Sequence, residues 1–320
     1  MAVTIRDVAH ACGVHVSTVS RTFSAPHMVN AETRTRVLEA AERLGYRPNR
    51  AARSLTTGRT GNLGLIVADL ANPFFPPLIK AAQAAARAQD YHLFVADTDE
   101  DPAEERDLVL AFSKQVDGIV LCSPRLSNKA LGELAETIPF VLVNRRMRGV
   151  PTVVMDVAHG ARTAMEHLAG LGHRRVALVS GPAGSWTSGE IRRAATDVPG
   201  VETVVFGPNA PTEQGGVAAA GQVAEAGVTG VLAYNDLVAI GLIEGLEERG
   251  VRVPADVSVI GVDDSATGRL HRPKLTTVAM PTADAGRMAV DLIVKSMSAA
   301  TVLDTHLVVR ESTAPPKGSP

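Results

Sequence analysis

The sequence predicts an α/β protein in two parts, a small all-helical N-terminal module followed by a large core of parallel βα units. Three observations predict it. Beyond residue 62, short apolar runs alternate with amphipathic stretches, the pattern of strands joined by crossover helices. Before that point apolar residues recur at helical spacing. Charge divides at nearly the same place: residues 1–60 carry nine arginines against four acids (Asp7, Glu32, Glu39, Glu42), a net of +5, which leaves −7 on the other 260 residues to reach the chain's −2. A basic module on an acidic body suggests a polyanion as the module's partner and repulsion holding the body away from it.

The whole chain sets outer limits. Its 320 residues suffice for two or three domains, and 45% apolar with 21% charged residues is ordinary for a soluble globular protein. No apolar run approaches the ~18 residues of a membrane span, and the N-terminus leads directly into a charged amphipathic helix, so a cytoplasmic protein with no membrane partner is expected. Cys12 and Cys122, far apart and each among apolar neighbours, read as buried thiols.

The module's first helix opens at Thr4, with Asp7 three residues on to complete a capping box, and Ile5, Val8, Ala9 and Cys12 fall on one face. Gly13 ends it by supplying a left-handed residue. A second helix from about Val16 buries Val19 and Phe23 and turns Ser17 and Arg21 outward. Two short helices on a tight turn form a helix-turn-helix, whose second helix enters the major groove with its first residues against base edges. His15, just before that helix, is a poor cap: it either forfeits part of the ~0.5–2 kcal/mol a good N-cap is worth or gains a phosphate or base contact. Val16 offers a methyl surface to a thymine methyl, and Ser17 discriminates weakly, so base selection there is moderate. Residues 24–29, with Pro26, read as a loop. Asn30 caps a third helix to about Leu44, with Val37, Ala41 and Leu44 inward, and Tyr46 and Pro48 stop it. The run NRAARSL at 49–55 can make a helix of about two turns capped by Asn49, too short to stand alone in water.

The motifs DVA (7–9), GV (13–14), TVSR (18–21), GYRPN (45–49) and ARSL (52–55) together closely resemble the lactose-repressor/galactose-repressor (LacI/GalR) family of bacterial transcription regulators. The resemblance implies a headpiece over 1–48 and a hinge helix with linker over 49–61. It implies that Val16 and Ser17 read bases and that Arg21 contacts DNA from the same face. Thr4, His15, Thr18 and Ser20 join this DNA-binding set. Asn49, Arg50, Ala52 and Arg53 belong to hinge helices that fold only on operator DNA, as a pair, while Leu55 wedges into the minor groove at the operator centre.

In the core, GLIVADL (64–70), HLFVAD (92–97), GIVLCS (118–123) and FVLVN (140–144) read as strands of one sheet. VALVSG (176–181), ETVVFG (202–207), GVLAYND (230–236) and VSVIGVDD (257–264) form a second series. A helix over about 282–298 and a strand over 303–310 make a return segment. With NPFF (72–75), LGHRRVALVSGP (171–182), AYNDLVAIG (233–241) and PKLTTV (273–278), this resembles the two-lobed periplasmic-binding-protein-like core of the same family. The core then spans 62–312, an N-lobe of about 62–158 plus 281–302 and a C-lobe of about 159–280 plus 303–312, with 313–320 a disordered tail.

Ligands of such sheets bind outside the carboxyl ends of the strands, between the lobes. By family position the effector-binding residues are Phe75, Asn144, Asp156, Trp186, Asn235 and Asp263. Carboxylates and amides that fork onto hydroxyls, with an aromatic ring over an apolar face, suit a small sugar or sugar derivative. Asn235 could equally cap the next helix, and Trp186 in the glycine-rich loop could be core. The position where the family usually carries an effector-binding arginine falls on Ile191. Either Arg192 substitutes, or the ligand lacks the group that arginine holds, or the effector site is degenerate.

Enzyme chemistry has no footing: HExxH, CxxC, GxxxxGK[ST] and GxSxG are all missing, and Asp263 and Asp264, adjacent on a strand, face opposite sides. A transport solute-binding protein would need a secretory signal and no basic headpiece. The sequence therefore points to a DNA-binding transcriptional regulator, expected to act as a repressor on double-stranded palindromic operator DNA, as a homodimer, with a small-molecule effector, no cofactor and no metal. A regulator with a degenerate effector site is the alternative. The proline-rich tail has no leucine heptad for a tetramer.

Overall fold

The computed structural model describes residues 3–46 and 58–317. They divide into two compact units, Met1–Gly61 and Asn62–Pro320. The hinge residues Asn49, Arg50, Ala52, Arg53 and Leu55 lie outside the described residues.

Among the described residues the first unit has three helices, α1 (Ile5–Cys12), α2 (Val16–Ser24) and α3 (Ala31–Leu44), with a short 3-10 turn, Pro26–Met28, in the stretch read as loop. Thr4 N and Oγ1 both donate to Asp7 Oδ2 at 2.8 Å, and Gly13 takes φ 61° to close α1. The Thr4 backbone N–H, then the hydroxyl, hold the Asp7 carboxyl below its usual range. Val8, Val19 and Val37 are fully buried at the centre, with Ala9, Cys12, Ala40 and Ala41 around them. Phe23 is only half-buried, its ring tilted against that of Tyr46 with the centroids 5.9 Å apart, beside this small core.

The second unit contains two six-stranded sheets. The first has the order β11-β5-β4-β3-β1-β2, all parallel, from β1 (Asn62–Val67), β2 (His92–Asp97), β3 (Ile119–Cys122), β4 (Phe140–Val143), β5 (Thr152–Met155) and β11 (Ala300–Leu303). The second has the order β12-β10-β9-β8-β6-β7, from β6 (Arg175–Val179), β7 (Glu202–Phe206), β8 (Gly230–Ala233), β9 (Ser258–Asp263), β10 (Thr276–Ala279) and β12 (His306–Val308). Only β12 runs antiparallel, against β10. Central strands such as β3, β4 and β8 are buried along their whole length, as a sheet covered on both faces demands. The covering helices are α4 (Phe75–Ala88), α5 (Pro102–Phe112), α6 (Asn128–Ala135) and α12 (Thr282–Val294) on the first sheet. On the second they are α7 (Val157–Leu171), α8 (Trp186–Thr196), α9 (Glu213–Glu225), α10 (Asp236–Glu247) and the short α11 (Ala266–Leu270).

Three strands, β5, β10 and nearly all of β11, lie outside the runs read as strands, and the run expected as one strand over 303–310 holds β12 and only the last residue of β11. Leu303 ends β11 in one sheet and His306 starts β12 in the other, with Thr305 Oγ1 donating to Asp156 O at 2.7 Å at the crossing. The segment from Thr313 to Lys317, expected as disordered tail, is instead bound along the second sheet. Ala314 N donates to Ser258 Oγ at 3.0 Å, the His173 ring bonds Ala314 O at 3.0 Å, and Lys317 pairs with Asp256. Cys12 and Cys122 are both buried free thiols, and burial pushes the Cys122 thiol well up.

Candidate effector cleft and DNA-reading helix

On the first unit, α2 carries Ser20 and Arg21 fully outward, while Ser17 and Thr18 are half-buried and Val16 rests partly against the core. His15 does cap: its Nδ1 accepts from Ser17 N at 3.3 Å and lies 2.9 Å from Ser17 Oγ. The expectation of a poor cap is corrected, because imidazole Nδ1 sits the same number of bonds from Cα as an asparagine Oδ1 and reaches the same amide. The contact requires a lone pair on Nδ1, so it belongs to the neutral ring with the proton on Nε2.

In the second unit a cleft opens where the carboxyl ends of both sheets meet. Glu100 follows β2, Ser123 and Arg125 follow β3, and Asn144 follows β4; opposite them stand Tyr234 and Asn235 after β8 and Asp263 at the end of β9. Phe74 and Phe75, edge to face at 5.0 Å, make the apolar wall. Both sheets change winding direction here, at β1/β3 and at β6/β8, the place where doubly wound sheets leave a crevice for ligands.

The backbone is strained at this rim. Glu100 (φ 63°), Ser123 (φ 52°), Asn144 (φ 55°) and Asp263 (φ 125°) all adopt positive φ, as do Asp99 and Asp264 beside them. Each such residue costs ~1–3 kcal/mol and persists only where neighbouring structure imposes it. Here backbone bonds do so: Ser123 N to Val143 O at 2.8 Å, Asn144 N to Val153 O at 3.0 Å, Glu100 N to Ala68 O at 2.7 Å.

Of the seven residues expected to bind effector, the structure brings Phe75, Asn144, Asn235 and Asp263 into the cleft lining. The other three are elsewhere. Asp156 caps α7 by accepting from His159 N at 3.1 Å and stands at the crossing between sheets. Trp186 is the first residue of α8, half-buried outside the lining; the aromatic ring in its place is Tyr234, whose hydroxyl bonds Ser185 Oγ at 3.0 Å. A Cβ on Gly181 would lie 2.5 Å from that ring, so a glycine is required there. Arg192 is exposed on the outer face of α8, while Ile191 packs in the core at 1% exposure. Asn235 both lines the cleft and caps α10, accepting from Val238 N at 2.8 Å and donating to Pro211 O at 3.0 Å.

Arg125 and Glu100 were missed. Arg125 Nε and Nη2 meet the two Glu100 oxygens at 2.5 and 2.8 Å, and Nη1 donates to Ser123 O at 2.7 Å. Burial opposes the guanidinium charge, but Tyr234 and Glu100 more than offset it and raise the Arg125 pKa. Glu105 anchors the loop from below, its Oε2 accepting from Arg125 N at 2.7 Å. Across the cleft, burial and then the charge of Asp236 push the Asp263 carboxyl well up. Burial likewise raises Asp236, to about 6, although it accepts from Thr277 Oγ1 at 2.6 Å and Ser265 N at 2.7 Å. Asp264 turns the other way and pairs with Arg269 and Arg310. Among the described residues no three metal-capable side chains converge, and no helix is long and apolar enough to cross a membrane.

A helix-turn-helix unit and a two-sheet core with a cleft, in one chain, define a DNA-binding transcription regulator and not an enzyme. Residues 4–49 match the description "Bacterial regulatory proteins, lacI family", and residues 165–313 match "Periplasmic binding protein-like domain". The chain is 33% identical over 323 residues to the ribose operon repressor of Halalkalibacterium halodurans, covering 97% of both chains. Its fold superposes with a TM-score of 0.88 on the lac repressor dimer bound to operator and the anti-inducer ONPF, at 24% identity, covering 98% of this chain and 100% of that one. With the transcriptional regulator CelR in its cellobiose complex the TM-score is 0.71 at 30% identity, covering 97% and 99%. The chain belongs to the lacI family of bacterial regulatory proteins.

Proposed function

We propose that this regulator is a cytoplasmic repressor that binds a palindromic operator as a homodimer, and that a small sugar in the core cleft sets its operator affinity. The observation that carries the reading is the polar, strained rim: carboxylate, amide and guanidinium groups held at the carboxyl ends of two facing sheets beside an aromatic wall. Such groups bind hydroxyls in a fixed orientation while the rings cover an apolar sugar face. The CelR structure, with cellobiose bound, supports the same ligand class. On DNA, Val16, Ser17 and Arg21 meet base edges, with Thr4, His15, Thr18 and Ser20 beside them, and residues 49–55 act at the operator centre. The effector shifts operator affinity only by its differential affinity for the two conformations of the dimer. Selection of bound DNA from random oligonucleotides, repeated with and without a panel of sugars, tests this. The expected result is an enriched palindrome whose retention changes with at least one sugar; no enriched palindrome, or retention indifferent to every sugar, overturns it.

A further inference from the structure

We propose that the Arg125–Glu100 pair selects the ligand of this cleft, taking an uncharged sugar with two adjacent free hydroxyls and rejecting its phosphorylated or acid counterpart. The inference rests on the reading of the cleft as a sugar site. The α8 position at Ile191 offers no donor, being packed in the core, and Arg192 points to solvent. The guanidinium in the cleft enters from the opposite sheet, on the loop after β3.

Its hydrogen-bond inventory specifies what fits. A guanidinium has five N–H donors. Three are taken, Nε and one on Nη2 by Glu100 and one on Nη1 by Ser123 O, so one hydrogen remains on each terminal nitrogen. Each Glu100 oxygen keeps a second lone pair, and its side chain is 24% exposed against 6% for Arg125. The two free hydrogens point away from Glu100, because Nε and Nη2 face it, and two adjacent hydroxyl oxygens can each accept one, while the free Glu100 lone pairs can accept from a further hydroxyl. Bidentate pairing also cancels the guanidinium charge. The remaining carboxylate of the lining, Asp263, stands across the cleft, so among the lining residues an added phosphate or carboxylate meets no uncompensated cation and is stripped of water without return. Gly184, whose Cβ would lie 3.8 Å from Arg125 Cδ, brings the second sheet's loop against the same side chain and so shields Arg125 from solvent.

The test is isothermal titration of the full-length protein with ribose, glucose, galactose and cellobiose, and with ribose 5-phosphate, glucose 6-phosphate and gluconate. The wild type is expected to bind an uncharged sugar at least about tenfold more tightly than its charged counterpart, and Arg125→Met to lose about 10- to 100-fold for that sugar, the usual cost of deleting a charged hydrogen-bond partner. Glu100→Gln keeps the shape but removes the carboxylate paired with the guanidinium, so it is expected to gain affinity for the phosphate or the acid, a result misfolding does not produce. If an uncharged sugar binds but Glu100→Gln leaves the preference unchanged, or if the wild type prefers the phosphate, the inference is overturned while the sugar-site reading stands. If no compound of the panel binds the wild type, the sugar-site reading itself fails and this inference with it.

Discussion

Helices α9 and α10 touch through glycine, and that contact sets a sharp prediction. A Cβ on Gly241 would lie 1.9 Å from Glu213 O, 2.6 Å from Glu213 C and 2.8 Å from Glu213 Cα. Ordinary contact begins at 3.4 Å, so Gly241→Ala must drive the two helices about 1.5 Å apart. The obstacle is backbone, which no rotamer change relieves. Reciprocally, a Cβ on Gly216 would lie 2.2 Å from Val238 O. A gap of ~0.5–1 Å already forfeits a quarter to a half of each dispersion contact, and the fully buried Val238 and Leu242 sit on this face. Overpacking of this kind costs up to ~3 kcal/mol, and alanine's better helix propensity returns ~1 kcal/mol, leaving a net loss of ~2 kcal/mol. The same substitution at Gly189 or Gly170, where a Cβ meets nothing within 4 Å, is expected to stabilise by ~0.4–1 kcal/mol. Urea unfolding of the three variants reads the sign directly. A Gly241→Ala midpoint equal to or above the wild type's would refute the close approach. Because Asn235 caps α10 and lines the cleft, the same variant is expected to weaken sugar binding as well.

Three further outcomes are expected. His15→Ala speeds hydrogen exchange at the Ser17 amide and lowers headpiece stability by ~0.5–1 kcal/mol, whereas His15→Ser does not; equal exchange in all three proteins would show that the imidazole caps nothing. His173 bonds Thr229 Oγ1 at 2.8 Å and Ser258 Oγ at 3.1 Å, and burial lowers its pKa. The unfolded ring protonates near ~6.5, so the unfolded chain binds more protons just below that pH. The stability His173 contributes is thus complete above the unfolded value and falls as pH drops through the window down to the folded one. Urea titrations across that range should slope in the wild type and flatten in His173→Gln, and parallel curves would reject the assignment. Asp236 acts in the opposite sense, its native form holding a proton up to about 6, so the comparison must be between variants and not between pH values alone. Leu55→Ala should weaken operator binding and reduce operator bending, and an unaltered bend angle would remove the wedge from the mechanism.

The parallel architecture was legible because eight of the strands are apolar runs long enough, and well enough bounded, to be read alone. Two of the missed strands, Thr152–Met155 and Thr276–Ala279, are four residues each, and threonine and proline neighbours blur their edges. Their strand character comes from the neighbours they pair with. The run over 303–310 reads as continuous because nothing local marks the sheet change at Thr305; the bond that fixes it goes to Asp156, 149 residues away. In the cleft, family position found residues that end strands, such as Asn144 and Asp263. It also named Asp156, which caps α7, and Trp186, which opens α8, both outside the lining, and it did not name Arg125. That arginine stands in an ordinary loop, and its partner Glu100 is 25 residues earlier. Only the fold brings them together.

The stitching of the two sheets by residues 300–314 has a consequence for biosynthesis. β11 completes the edge of one sheet, β12 completes the edge of the other, and Ala314 pins His173 and Ser258 beneath the second. Domains generally fold N-terminal first as the chain is made. The helical unit is local in sequence, its three described helices ending at Leu44. The cleft is not: both of its walls wait for residues near the C-terminus before their sheets are whole. The helices of the first unit are thus made before any strand of either sheet, and residues 300–314 must follow before both sheets are whole.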